Sequence, residues 1–196
     1  MKRSWVARTL KVLAFGAGGL VVLLVAAMAG LWWWTGTPQS LEWALRYAAR
    51  TQPLTAEGVQ GSLRDGLQAR HLQWERDGLK IEAFDVHLAW QPLELAQRTV
   101  RLDHLLAARL RIEDRRAPKS VPAPPPASLD IPLRVQIDEI KVGQLQWAAA
   151  ANSFEAAELA GNYVFNGKQH QVQVDNLRWA GGTYSGDANL GARGKL

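Results

Sequence analysis

The sequence predicts an N-terminal transmembrane helix followed by a mainly β domain. The β domain is expected to be an antiparallel meander that curls into an open, apolar-lined β-groove with a short capping helix. Three observations predict this fold class: a run of 23 uncharged residues near the N-terminus, turn dipeptides between alternating segments, and a strand pattern that recurs with a slip in its alternation.

The uncharged run covers residues 12–34 and has no proline. Its length fits a bilayer core of roughly 30 Å, so we predict a transmembrane signal-anchor. Residues 1–11 carry four basic side chains, which places this tail in the cytoplasm. The residues predicted to lie in the anchor include Val12, Leu23, Trp32, Trp33 and Trp34. A cleaved signal peptide, with Ala27-Met28-Ala29 as the cleavage site, is the alternative, and both interpretations export the remainder.

Charge and composition exclude several classes of function. The net charge of +5 arises largely from the N-terminal tail, and the rest of the chain is nearly neutral, so there is no basic stripe for nucleic acid. The chain has no cysteine, and its four histidines do not follow a metal-ligand spacing. We therefore expect no cofactor, no metal and no catalytic residues, and the sequence does not predict an enzyme.

The exported part divides into four segments. Residues 35–53 predict a short periplasmic helix, with Thr37 as its cap and Pro38 in its first position. Residues 54–116 predict the first β-groove strands, with tight turns such as Asp77-Gly78 and a helical crossover at residues 92–97. The other segments are a mobile Pro-rich loop at residues 117–128 and further strands at 129–196, where hairpins are expected at Asn166-Gly167 and Gly181-Gly182 and more strands are expected to follow.

The recurring strand pattern is apolar-x-apolar-x-x-apolar-x-apolar, with an acid in the fourth position. It occurs at residues 79–86, 100–107, 135–142 and 172–179, and more loosely at 67–74 and 154–161. A flat strand would put the two apolar pairs on opposite faces. A one-residue bulge at the fourth and fifth positions would return them to one face and bend the strand. A β-sandwich whose strands change sheets at a kink explains the same spacing.

Composition favours the bulged, trough-like sheet, because the exported part lacks a second apolar set large enough to cover it. Acids and amides on the outside of the trough would remain in water. The residues predicted to line the trough are Phe84, Val86, Leu102, Val135, Ile137, Ile140, Val142, Val174 and Leu177.

The chain resembles the TamB family, the inner-membrane subunits of the translocation and assembly module. The resemblance is carried by the basic tail, the Trp-rich exit, GVQGSLRDGLQARHLQWERDGLKIEAFDVHLAW, PLELAQRTVRLDHLLAARLRIED and PLRVQIDEIKVGQLQW. It implies a periplasmic β-groove that acts in outer-membrane protein assembly and in phospholipid transport between the membranes of a Gram-negative cell. It also implies a BamA-like outer-membrane partner (TamA), reached through regions beyond those seen here.

Two related interpretations stay open at the level of sequence. AsmA-like envelope proteins share the anchor and the strand pattern. A structural or adhesive β-protein held at the inner membrane would also explain the strands, but it would have a dry, closed core instead of a lipid-binding face.

Overall fold

The computed structural model describes residues 23–116, 131–149 and 152–192, and these form two helices, a 3₁₀ helix and a single nine-stranded sheet. The described part of helix α1 is residues 23–35, and α2 follows at Pro38–Thr51. The strands before the 3₁₀ helix are β1 (Leu54–Glu57), β2 (Gln60–Ser62), β3 (Gly66–Arg76) and β4 (Leu79–Trp90). After the 3₁₀ helix (Pro92–Gln97) come β5 (Thr99–Asp114), β6 (Arg134–Ala149), β7 (Ser153–Phe165), β8 (Gln169–Trp179) and β9 (Gly182–Gly191).

The N-terminal segment is described only from residue 23, so residues 12–22 of the expected anchor, including Val12, lie outside the described residues. Among the helices that the structure does describe, none combines the length and the apolar character needed to cross a membrane.

Hydrogen bonds connect the junction between α1 and α2 to the loop before β3. The buried Ser40 hydroxyl donates to the carbonyl of Thr35 and accepts from the Leu63 N–H, at 3.0 and 3.2 Å. Pro38 takes the first helical position, as expected. Thr37 is the N-cap residue, but it does not cap through its side chain, because its hydroxyl donates to the Trp34 carbonyl instead.

The sheet runs in the order β1-β3-β4-β5-β6-β7-β8-β9, with β2 also paired to β3. All pairs are antiparallel except β5 and β6, which are parallel, so the expected purely antiparallel meander is wrong at this point. The sixteen residues of β5 extend about 53 Å. The nineteen residues between β5 and β6 can extend about 63–68 Å, which is long enough to return the chain to the start of β5. The Pro-rich segment, residues 117–128, belongs to this connection and lies outside the described residues.

The hairpin turns largely follow the sequence signals. Asp77 and Gly78 join β3 to β4 with φ values of 50° and 81°, the conformation that a two-residue hairpin requires. Gly167 has a φ of 93° in the β7–β8 turn, where the Asn166 side chain accepts two backbone N–H groups. The last turn uses Ala180 and Gly181, one residue earlier than the expected Gly181-Gly182.

The slipped pattern does produce bulges in three of its four principal copies. In β6, Ile137 and Ile140 pair with Tyr163 and Gly161, so three steps on β6 match two on β7. A similar extra residue occurs in β5 at Asp103 opposite β4, and in β8 at residues 175–176 opposite β9. The alternation therefore slips because these strands carry an additional residue.

The first copy behaves differently, because Glu82 and Ala83 pair regularly with both neighbouring strands. The irregularity in β4 falls instead at Asp85, whose φ is 50°. Asp85 is one of five residues, one in each of five adjacent strands, at which the regular cross-strand pairing is interrupted. These five residues lie at the same height in the sheet and form a second level of irregularity. The residues at this level are Arg70, Asp85, Ala108, Gly143 and Glu158.

Candidate functional site

Strand β9 shows which side chains of the sheet share a face, because it alternates regularly along its whole length. Its residues Gly182, Tyr184, Gly186, Ala188 and Leu190 therefore lie on one side. Cross-strand partners share a face, so the residues of β8 that pair with them do too. The β8 residues on this side are His170, Val172, Val174, Leu177 and Trp179.

Following the ladders from β8 across the sheet gives rows of apolar side chains on the same side, which we call the apolar face. One row is Leu67, Leu88, Leu105, Ile140, Gly161 and Val174. A second row is Leu102, Ile137, Tyr163 and Val172. A third row is Leu72, Ala83, Leu110, Leu145, Ala156 and Trp179.

The structure places eight of the nine residues predicted to line the trough on the apolar face. Each of the eight either belongs to one of these rows or lies two residues along its strand from a residue that does. The eight are Val86, Leu102, Val135, Ile137, Ile140, Val142, Val174 and Leu177.

Phe84 is the exception, because it lies on the opposite face of the sheet. Its ring stacks on His71 at 4.6 Å between centroids, and the Arg109 guanidinium lies 5.6 Å from the ring centroid. The left-handed conformation of Asp85 breaks the alternation between Phe84 and Val86. The prediction that these two residues share a face is therefore wrong.

Sequence reasoning missed the part of the apolar face beyond the second interruption. In β6 the apolar residues slip again after Val142 and resume at Leu145 and Trp147. The same three-residue step, Val142 to Leu145, was visible in the sequence and could have identified this region. The row at this end consists of Trp74, Ile81, Ile112, Trp147 and Phe154.

In the described part of the chain, no second sheet lies over β4–β8 on either face. The contacts of α2 with the sheet fall on β1 and β2. Large side chains of the apolar face consequently remain open, with Trp179 44% exposed and Tyr184 47% exposed. A contiguous apolar surface of this kind on a folded protein marks a binding surface. The single sheet also decides against the β-sandwich.

The comparison with protein families decides what kind of domain carries this surface. The family model described as "TamB, N-terminal domain" matches residues 25–189. The chain belongs to the TamB family. No curated protein and no solved structure matches it.

The TamB match extends from α1 to β9, so the apolar face lies within the TamB N-terminal domain. The family is one of envelope proteins, in agreement with the resemblance carried by the repeated strands.

The opposite face of the TamB sheet explains the acid at the fourth position of each copy. The Gln136 amide donates to the Asp138 carboxylate at 2.6 Å, and Gln173 donates to Asp175 at 2.7 Å. Residues two apart in a strand point to the same side, so the second position supplies a donor for the fourth.

The other two copies of the pattern have a basic residue in the second position. In the first copy, Lys80 forms an ion pair with Glu82 at 2.9 Å. In the second copy, Arg101 reaches across to the Asp138 carboxylate, with its Nη2 at 2.9 Å. Donor and acid therefore form a polar surface that faces away from the apolar rows.

These contacts shift the pKa of Asp138. The Gln136 amide and the Arg101 guanidinium both donate to its carboxylate, and together they hold the pKa of Asp138 below its ordinary value of 3.8. The carboxylate therefore stays charged on the polar side of the bulge, where it also links β5 to β6.

Curvature does not by itself distinguish the two faces, because a twisted sheet is saddle-shaped and each face is concave along one diagonal. A depression of about 760 Å³ lies on the polar face of β7–β9, among side chains that include Asn162, Gln173 and Asp187. Its polar walls suit water. The apolar face is distinguished by its composition.

The described residues offer no constellation for metal chemistry. No group of three or more His, Asp or Glu side chains within them is arranged to hold a metal ion. Tyr163 Oη lies 2.7 Å from His170 Nδ1, and burial raises the pKa of this tyrosine. His170 also stacks on Phe165, which is almost fully buried, so this pair closes one end of the apolar face by packing.

Proposed function

We propose that this TamB-family protein is anchored in the inner membrane and binds phospholipid acyl chains on the apolar face of its periplasmic sheet. In this role it acts in phospholipid transport between the inner and outer membranes, and in outer-membrane protein assembly and secretion. The observation that carries the proposal is a contiguous apolar face on a single open sheet, with no second sheet over it in the described residues.

The energetics of burial support an apolar ligand over water on this face. Removing apolar surface from water stabilises by about 25 cal/mol per Å², or about 0.8 kcal/mol for each buried CH₂ group. In a sandwich, a second sheet would provide that burial. On this open sheet, an acyl chain lying along the half-buried Ile137 and Ile140 would provide it.

The proposed topology rests on the sequence and on the family. The uncharged run at residues 12–34 would span the inner membrane, with the basic residues 1–11 in the cytoplasm and the sheet in the periplasm. The Trp side chains at residues 32–34 would lie at the periplasmic interface, where indoles favour the headgroup layer.

The proposed outer-membrane partner, a BamA-like protein (TamA), rests on family membership. Neither a metal nor a cofactor nor a catalytic step enters the proposal, because binding and passage of lipid along a surface need none of them.

The test compares neighbouring residues that differ in face. Ile140 lies on the apolar face, whereas Lys141 points away and forms an ion pair with Glu139. We expect a photoreactive residue at Ile140 in the full-length protein in cells to label phospholipid, and the same residue at Lys141 to label little or none. Mass spectrometry of the labelled protein would identify the lipid.

Two results would decide against the lipid-binding face. Equal labelling at both positions would mean that contact with lipid does not depend on the face. Absence of label at Ile140 would favour a structural or adhesive role for the sheet. An Ile140→Asp change provides a second measurement, since it should block lipid passage far more than it lowers the stability of the fold.

A further inference from the structure

The structure contains an apolar concavity at the junction between α1 and the sheet. Its volume is about 370 Å³, within the range of small-molecule pockets. Helix α1 supplies one wall, and the other wall comes from the loop before β3, the end of β4 and the 3₁₀ helix. The side chains that matter most are Met28, Leu31, Trp32, Leu63, Trp90 and Leu95.

Trp90 connects this junction pocket to the apolar face. It is the ladder partner of Leu102, which lies in one of the apolar rows. Its indole N–H donates to the Leu63 carbonyl at 2.7 Å, so the polar end of the ring is satisfied and its apolar surface is left for the pocket. The pocket and the apolar face therefore share a side chain and form one connected surface.

The pocket has a cation at its rim. The Arg64 guanidinium lies 5.3 Å from the Trp32 ring centroid and donates through Nε to Asp65 at 3.2 Å. It rests directly against Gly36, where an added Cβ would come within 2.6 Å of Nη2. A glycine at this position lets the guanidinium lie beside the helix junction. Arginine is suited to phosphate recognition, because its planar group can donate two parallel hydrogen bonds.

We propose that the junction pocket binds one acyl chain of an anionic phospholipid, with the lipid phosphate held at Arg64. The site is the point at which a lipid passes from beside α1 to the apolar face of the sheet. This inference rests on the proposed membrane anchoring of residues 12–34, which places lipid next to the α1 wall. The exposed Met28 and Leu31 side chains then face acyl chains instead of water.

The first test uses two leucines of the same 3₁₀ helix. Leu95 lines the pocket, whereas Leu93 is not among its lining residues and is 69% exposed. The full chain is reconstituted in vesicles of phosphatidylethanolamine and phosphatidylglycerol, with a photoreactive residue at either position. We expect phospholipid adducts at Leu95 to exceed those at Leu93 severalfold. Equal labelling would overturn the pocket, because it would show that the whole 3₁₀ helix lies on the membrane surface.

The second test concerns the headgroup. Arg64→Gln should reduce phosphatidylglycerol labelling at Leu95 by roughly tenfold, the effect of losing a hydrogen bond to a charged group. Gly36→Ala should reduce it in the same direction by displacing the guanidinium, whereas Arg64→Lys should retain part of it. If phosphatidylglycerol labelling at Leu95 is unchanged in the Arg64→Gln variant, the lipid phosphate is not held at Arg64. Circular dichroism of each variant shows whether it is folded.

Labelling at Leu95 and at Ile140 separates this inference from the proposed function. Adducts at Ile140 without adducts at Leu95 would retain the lipid-binding sheet and reject the junction pocket. Adducts at Leu95 alone would retain the pocket and reject the sheet as a lipid path.

Discussion

Asp138 lies at the bulge that bends β6, and its carboxylate lies on the polar face of the sheet. It stands at the bulge of β6, where an additional residue keeps Ile137 and Ile140 on the same side. Its carboxylate accepts from Gln136 on its own strand and from Arg101 on β5. These hydrogen bonds therefore stabilise the charged acid on the water-facing side of the sheet. The apolar residues on either side of it point to the opposite face.

The lowered pKa of Asp138 gives a prediction with a definite sign. A carboxyl whose pKa is lower in the folded state contributes stability above its ordinary pKa, and that contribution is lost as the pH falls through the lowered value. Gln136→Ala should raise the pKa of Asp138 toward 3.8, since the Gln136 amide makes the largest contribution to lowering it. The measurement is an NMR titration of the aspartate carboxyl groups.

Asp114 is the internal control for this titration. Its pKa is lowered to about 2 by hydrogen bonds from Arg116, at the far end of β5. It should not move in the Gln136→Ala variant. If Asp138 keeps its pKa in that variant, the pairing of second and fourth positions does not stabilise the charged acid.

The turn glycines give a second prediction at this scale. Gly78 has a φ of 81°, which a β-branched residue resists, so Gly78→Val should lower the free energy of unfolding by about 1–3 kcal/mol. Gly186→Val is the matched control. Gly186 does not have a positive φ, and an added Cβ would meet nothing within 4 Å. Equal stability of the two variants in denaturant titrations would argue against the tight β3–β4 turn.

At the scale of elements, β5 and β6 place two copies of the repeated pattern side by side. Val100 pairs with Val135 and Ala107 with Val142, so each position of one copy meets the same position of the other. Parallel pairing makes this possible, because antiparallel strands would oppose the first position of one copy to the last of the other. The bulges then fall at the same height on both strands.

Because the chain has no cysteine, introduced disulfides can test this pairing without interference. Arg111 and Gln146 are ladder partners in the parallel arrangement, so Arg111→Cys with Gln146→Cys should cross-link on mild oxidation. Arg111→Cys with Gln136→Cys is the control, since a direct β5–β6 hairpin would bring these residues together. In the parallel sheet they lie about ten residues apart along the strands, or about 33 Å.

The readout is the change in electrophoretic mobility of the full chain after oxidation. Cross-linking of the control pair, with none in the first pair, would contradict the parallel arrangement.

At the scale of the whole molecule, the described chain is a single layer attached at one end to a helix. The Ser40, Leu63 and Arg64 contacts fasten the α1–α2 junction to the loop before β3. The proposed function requires such an attachment, because the apolar face would have to begin where the membrane ends.

Membrane anchoring gives the prediction at this scale. Leu23 lies in the uncharged run, and Leu23→Arg should raise the free energy of insertion by about 2.5–3.5 kcal/mol. Fractionation should show the variant released from the membrane or not exported. Leu93→Arg, outside this run, is the control and should leave the protein in the membrane fraction. Mass spectrometry of the wild-type membrane fraction should find N-terminal peptides from residues 1–11, whereas a mature N-terminus at Gly30 would contradict the anchor.

Local features of the fold could be predicted from the sequence because they depend on neighbouring residues. Asp77-Gly78 requires positive φ values, Pro92 begins a short helical turn, and the slip at Asp138 implies an additional residue in the strand. The apolar face could be predicted in part for the same reason, since eight of its residues followed from spacing within single strands.

The features that were missed depend on residues distant in sequence. The direction of β6 relative to β5 is set by where the connecting chain returns. The position of Phe84 is set by an interruption at Asp85 that runs across five strands. Spacing within β4 alone gave no indication of that interruption, because Glu82 and Ala83 matched the pattern and yet pair regularly.

By itself the sequence determined the β domain, most of its turns, its bulged strands and eight residues of the apolar face. These follow from backbone conformation and from the two-residue period of a strand, which act over a few residues. Only the tertiary structure decided that the sheet is one open layer, that β5 and β6 are parallel, and that the apolar rows continue through two levels of irregularity. Hydrogen-bonded pairing between strands fixes those properties, and the choice of partner strand depends on the whole path of the chain.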